Sequence, residues 1–117
     1  MTDDVPGNRL TPGEHIFHIA DVDDWAAALV AGDYRVSTRG VSLADEGFIH
    51  ASRGSQVEGV RAAFYADPSL RLVLLEIDPA RLDVELRLEV PPGAGEAFPH
   101  IYGPLRTGAV VASRELT

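Results

Sequence analysis

Two side-chain chemistries are missing from this chain altogether. It contains no cysteine, which excludes thiol nucleophiles, thiolate metal ligands and a disulfide framework. Its ten basic residues are all arginines, so no lysine is present to form a Schiff base or to act as an amine nucleophile. Long apolar runs are absent as well. The longest, residues 25–31 and 72–75, fall far short of the ~20 residues that span a bilayer. Residues 1–12 carry Asp3, Asp4, Pro6, Gly7 and Pro12 without an apolar core, so they do not read as a signal peptide. These absences lead us to expect a soluble cytoplasmic protein. Positive charge is scarce too. Ten arginines face eighteen acidic residues, a formal net charge of −8, which argues against coating nucleic acid, because that requires excess positive charge. One phosphate-bearing small ligand held by one or two arginines stays compatible with this balance.

What is present is ordinary globular material. The 117 residues are 45% hydrophobic and 24% charged, enough for one domain that buries roughly 65% of its unfolded surface without a staple. Polarity, prolines and glycines mark residues 1–13 as a flexible tail and residues 14–117 as a single globular domain. His15 to Ala20 is β-branched and aromatic and predicts a strand. Asp21 then suits an N-cap, with Asp23 and Asp24 in the first turn and Gly32 as the C′ residue of a short helix. Tyr34 to Val36 is a short strand candidate. Residues 40–46 read as a loop, and residues 47–52 (GFIHAS) as one strand. Ser55 and Glu58 fit a capping box, opening a helix whose apolar stripe is Val57, Val60 and Phe64. Asp67-Pro68 stops it. Residues 71–78 (RLVLLEID) predict a strand covered on both faces, while residues 84–90 alternate like a half-exposed antiparallel strand. Residues 91–97 form a flexible loop, and Ala109 to Ala112 a last strand. About six strands and two short helices in this order predict a compact α+β domain with a mainly antiparallel, split sheet.

Chemistry near neutral pH falls on four histidines. His15 and His18 cannot chelate one ion from a strand, since i and i+3 point to opposite faces. His18 shares its face with Ile16 and Ala20, and a hydrogen-bonded strand histidine accounts for it as well as a functional one. Phe48, His50 and Ser52 fall on one face of the 47–52 strand, so a Ser/His pair lining a cleft is conceivable, though no nucleophile elbow is present. Gln56 suits either a ligand contact or a helix surface, and Arg53 directly follows the histidine strand. In residues 98–105 (FPHIYGPL) two prolines and a glycine fix the backbone while His100 and Tyr102 alternate. Three histidines from separate segments would suffice for zinc, but no carboxylate stands at motif spacing, and no metal is assigned.

His18-Ile19, the GFIHAS stretch with Gln56, LLEID at 74–78, residues 86–89 and FPHIYGPL resemble the domain-of-unknown-function 952 family, from about residue 14 to residue 114. That family is similar in fold to the ADP-ribosyltransferases and the RNA 2′-phosphotransferases. The resemblance implies a split antiparallel sheet around a cleft that in those enzymes holds NAD or an ADP-ribosyl group. The early strand histidine then falls on His18, the middle motif on His50-Ala51-Ser52, and the last part of the site near His100 and Tyr102. Many relatives carry cysteine where this chain has Ala51. The arginine beside the early histidine of the RNA 2′-phosphotransferases is replaced here by Phe17. No motif places the late catalytic glutamate of many ADP-ribosyltransferases; Glu89 is the nearest candidate.

The leading expectation is therefore an enzyme of the glycosyl- or ADP-ribosyl-transferring type, acting on NAD or on another ADP-ribosyl or nucleotide-like small ligand, with no cofactor assigned. Its catalytic residues would be His18, His50 and His100, and its substrate contacts Ser52, Arg53, Gln56 and Tyr102. The alternatives are a non-catalytic small-ligand-binding or sensing module and a partner-binding domain. A small molecule is the expected partner, and a monomer the expected state.

Overall fold

The most apolar stretch of the chain becomes its central strand. In the computed structural model, which describes residues 9–116, Leu72–Ile77 forms β7, flanked by β1 (Ile16–Asp21) and β11 (Val110–Leu116). A short β6 (Ser52–Arg53) extends this antiparallel sheet beyond β1. Strand alternation sorts the side chains of β7 between two cores. Val73, Leu75 and Ile77 enter the larger one with Ile16, Ala20, Ile49 and Ile101. Leu72 and Leu74 enter the smaller with Ile19, Val60 and Tyr65.

Helices cover both cores. The first, α1 (Val22–Ala31), begins where the Asp21 carboxylate accepts from the Asp23 N–H at 2.8 Å. It ends at Gly32, whose φ of 94° is the left-handed conformation that favours glycine. Trp25 and Ala28 are its buried residues. On the other core α3 (Val57–Phe64) buries Val60. A third helix, α2 (Leu43–Glu46), stands where only a loop was expected; the Ser42 hydroxyl caps it by accepting from the Asp45 N–H. Small two-stranded pairs complete this side: β2 (Asp33–Tyr34) with β10 (Leu105–Arg106), and β3 (Val36–Thr38) with β4 (Val41–Ser42).

A second sheet positions the candidate site. It consists of β5 (Ile49–His50), β9 (Phe98–Tyr102) and β8 (Glu85–Glu89), all antiparallel. Ile49, Pro99 and Ile101 are fully buried, so the alternate residues His50, Phe98, His100 and Tyr102 are left to the opposite face.

Three sequence expectations need correction. Residues 47–52 are not one strand: His50 belongs to the second sheet and Ser52 to the first, because the Ala51 N–H bonds to the Pro99 carbonyl and the chain changes sheets there. The Ser55/Glu58 capping box does not form. Residues 54–56 make a 3₁₀ turn instead, and the Gln56 side chain accepts from the Arg53 N–H at 2.9 Å. The last strand starts one residue later and runs four residues further than expected, to Leu116. Of the expected tail, residues 1–8 lie outside the described residues. Leu10 packs against the larger core, and the Glu14 N–H closes a turn onto the Thr11 carbonyl. Among the described residues no helix is long and apolar enough to cross a membrane.

β9 ends against β8's leading residues at a glycine that no other residue can replace without movement. A Cβ on Gly103 would lie 2.6 Å from Cγ1 of Val84. Gly103→Ala is therefore expected to cost about 1–3 kcal/mol through overpacking, measured as a drop in urea midpoint. Wild-type stability in that variant would refute the packing described here.

Candidate functional site

The polar face of the second sheet forms the floor of a cleft of about 640 Å³. His50 and His100 are directly paired across β5 and β9, their rings 5.6 Å apart. Phe98 and Tyr102 flank His100 on β9 at spacing two, and Phe98 lies 5.2 Å from the His50 ring. Phe48 covers His100 at 4.0 Å and stacks with Tyr102 at 5.5 Å. Opposite, Phe64 of α3 and Val90 line the cleft; both are 60% exposed.

Glu89, at the end of β8, organises the floor. One of its oxygens, Oε1, accepts from His100 Nδ1 at 2.8 Å and from the Tyr102 hydroxyl at 2.5 Å. Those two donors hold its carboxyl below the usual carboxylate range, and the carboxylate in turn pushes the Tyr102 hydroxyl up. Arg87 lies over the Tyr102 ring at 4.3 Å. With Nδ1 committed to Glu89, the other nitrogen of a neutral His100 ring, Nε2, is a hydrogen-bond acceptor. It is buried and has no partner. Buried polar atoms without partners are uncommon in folded proteins, and each asks for an explanation. The His50 ring also makes no hydrogen bond among the described residues. Burial, and then the neighbouring His100, lower its pKa to about 4, so it is a neutral ring near pH 7.

The expected site residues divide among three places. His50, His100 and Tyr102 meet in the cleft. His18 does not reach it. Its ring is 3% exposed and both nitrogens are engaged inside the fold: Nδ1–H donates to the His50 carbonyl at 2.6 Å, and Nε2 accepts from the Tyr34 hydroxyl at 2.9 Å. Ser52 is buried in β6, paired with Phe17. Arg53 and Gln56 line a separate, larger depression on the other side of the 91–97 loop. There Arg53 forms a two-pronged ion pair with Glu14, each contact 2.9 Å. Gln56 donates to Glu96 and to the Ala97 carbonyl, tying down the loop that walls the cleft. His15, in the same depression, contacts Glu76 at 2.6 Å. No three histidine or carboxylate side chains among the described residues stand close enough to share a metal ion.

Residue-type reasoning passed over Phe64 and Phe98. Phe98 was visible in the alternation of FPHIY, which puts it on the face of His100 and Tyr102. Phe64 reads as part of a buried helical stripe, and only the tertiary arrangement turns it into the cleft.

The family model described as "Protein of unknown function (DUF952)" matches residues 19–113. The crystal structure of protein CC0527 from Caulobacter crescentus superposes with a TM-score of 0.72 at 30% identity, covering 88% of this chain and 86% of that one. The solution NMR structure of the same protein gives 0.70 at 30% identity, with 87% and 84% covered. No curated protein matches the chain.

His18 carries a pH signature. Burial lowers its pKa from 6.5 to about 4, against the His50 carbonyl bond, which raises it. As the pH falls through that window the unfolded chain takes up a proton that the folded chain refuses. The stabilisation is full above 6.5 and is lost progressively towards 4, by about 3 kcal/mol. Urea unfolding is expected to show this decline, to which His50 adds a similar share, and His18→Ala to remove about half of it. That variant is also expected to lose about 2–4 kcal/mol at neutral pH, since it leaves a carbonyl and a hydroxyl unpaired. A flat profile in the wild type would contradict the assignment.

Proposed function

The chain belongs to the DUF952 family of proteins of unknown function, and we propose that its role is to bind a small ligand with a flat aromatic group in the His50/His100 cleft. The observation that carries this reading is the unpartnered, buried Nε2 of His100 on the floor of an aromatic cleft. A ligand N–H or O–H supplies the missing partner, and the rings of Phe98 and His50 supply a stacking surface. Phe64 and Val90, apolar yet exposed, gain by covering such a ligand.

We take the fold to be akin to that of the ADP-ribosyltransferases, as the sequence resemblance implies; a split antiparallel sheet with a cleft on one part of it supports this. On that analogy a second reading is transfer or hydrolysis at a ribosyl carbon of NAD or an ADP-ribosyl compound. It is favoured by Glu89, the only late glutamate in the cleft, which orients His100 as an acid or base. The lining holds aromatic rings and no arginine, which supports the ring end of such a molecule, rather than its diphosphate, as the part the cleft accommodates. The reading takes the protein as a cytoplasmic monomer acting on a small molecule.

Ligand titrations followed at the histidine ring protons test this. Nicotinamide, adenine, ADP-ribose and NAD are the first probes, followed by a library of aromatic fragments. Binding is expected to move His50 and His100 and leave His15 in place, and His100→Ala to weaken it by about tenfold, the loss of one good hydrogen bond. Failure of every compound to perturb His50 or His100 would overturn the reading. Release of nicotinamide from NAD, abolished by Glu89→Gln, would establish the catalytic version.

A further inference from the structure

The charges around the cleft narrow the chemistry of its occupant. Two carboxylates line it, Glu46 from α2 and Glu89 from β8, and no arginine does. His50, held neutral near pH 7, adds no positive charge. Glu89 uses only Oε1 for His100 and Tyr102; Oε2 has no hydrogen bond or ion pair among the described residues, and the side chain is 37% exposed. The remaining lining is aromatic to an unusual degree. Phe48, Phe64 and Phe98 are three of the four phenylalanines in the chain, and Tyr102 joins them. Ring faces carry negative electrostatic potential and attract cations. Arg87 already exploits this on the Tyr102 ring.

We infer that the cleft selects a protonated organic amine with an apolar or aromatic body, its N–H groups directed to His100 Nε2 and its charge compensated by Glu89. An anion meets two carboxylates and no arginine among the lining residues; Arg87, over the Tyr102 ring, is already paired at two atoms with Glu85. A neutral ligand satisfies His100 but leaves the field of Glu89 unused. A quaternary ammonium fits the rings and the charge but offers no hydrogen to Nε2. Primary and secondary ammonium groups meet all three requirements.

This inference rests on the ligand-cleft reading above, and three near-isosteric probes separate the two. Benzylammonium, benzyl alcohol and benzoate are titrated into the full-length protein at neutral pH and low salt, with the His50 and His100 ring protons as the readout. Benzylammonium is expected to bind at least about tenfold more tightly than the alcohol, the size of a partly desolvated cation–π and charge contact, and benzoate more weakly than either. Added salt should shrink the preference. Glu89→Gln keeps an acceptor for His100 and Tyr102 while removing the charge, and is expected to cut the ammonium preference to about threefold or less. Equal or tighter binding of the alcohol or benzoate overturns the amine assignment and leaves the cleft reading standing. Silence of both histidines with all three probes overturns both.

Discussion

One buried imidazole joins the parts of this fold that form the site. His18 stands on β1, in the middle of the main sheet, and bonds at one nitrogen to the His50 carbonyl on β5 and at the other to the Tyr34 hydroxyl on β2. A neutral histidine has one donor and one acceptor, and both are used. No other side chain of similar size offers a donor and an acceptor at opposite ends of a rigid ring. The second sheet is thereby locked to the first at the residue whose side chain enters the cleft. His18, for which the sequence left a structural and a catalytic reading level, fixes the backbone of a histidine that faces the cleft.

The cleft is built on rigid elements. Its floor is the polar side of three paired strands; the other side is fully buried on β5 and β9 at Ile49, Pro99 and Ile101, so His50, His100 and Tyr102 cannot shift without disturbing the core. Glu89 then sets the donor pattern of the floor by accepting from two of its groups at one oxygen. On the far side of the loop at 91–97, Gln56 accepts from the Arg53 N–H and spends both amide hydrogens on Glu96 and the Ala97 carbonyl. Those bonds hold that loop, which walls the cleft, in place.

Local chemistry made much of this legible in the sequence. Continuous apolarity marked Leu72–Ile77 as the covered strand, Asp21 and Gly32 marked both ends of α1, and the alternation of residues 84–90 marked a strand with one wet face. The resemblance carried by GFIHAS and FPHIYGPL led to the right family. What was hidden is what tertiary pairing decides. Period two puts Phe48, His50 and Ser52 on one face only if the strand is continuous; the break at Ala51, set by a hydrogen bond to Pro99, 48 residues away in sequence, rather than by any local signal, sends Ser52 to another sheet. Glu89 read as a solvated face residue because its partners, His100 and Tyr102, arrive from the next strand. The divorce of Arg53 and Gln56 from the histidines follows from the same break.

The lock between the two sheets depends on the state of the His18 ring. Nitrogen-15 chemical shifts of the four imidazoles, followed from neutral pH downwards, measure it directly. His18 is expected to be a neutral Nδ1–H tautomer that stays unprotonated until the pH approaches about 4. Protonation of His18 close to the ordinary histidine value, or an Nε2–H tautomer at neutral pH, would contradict it.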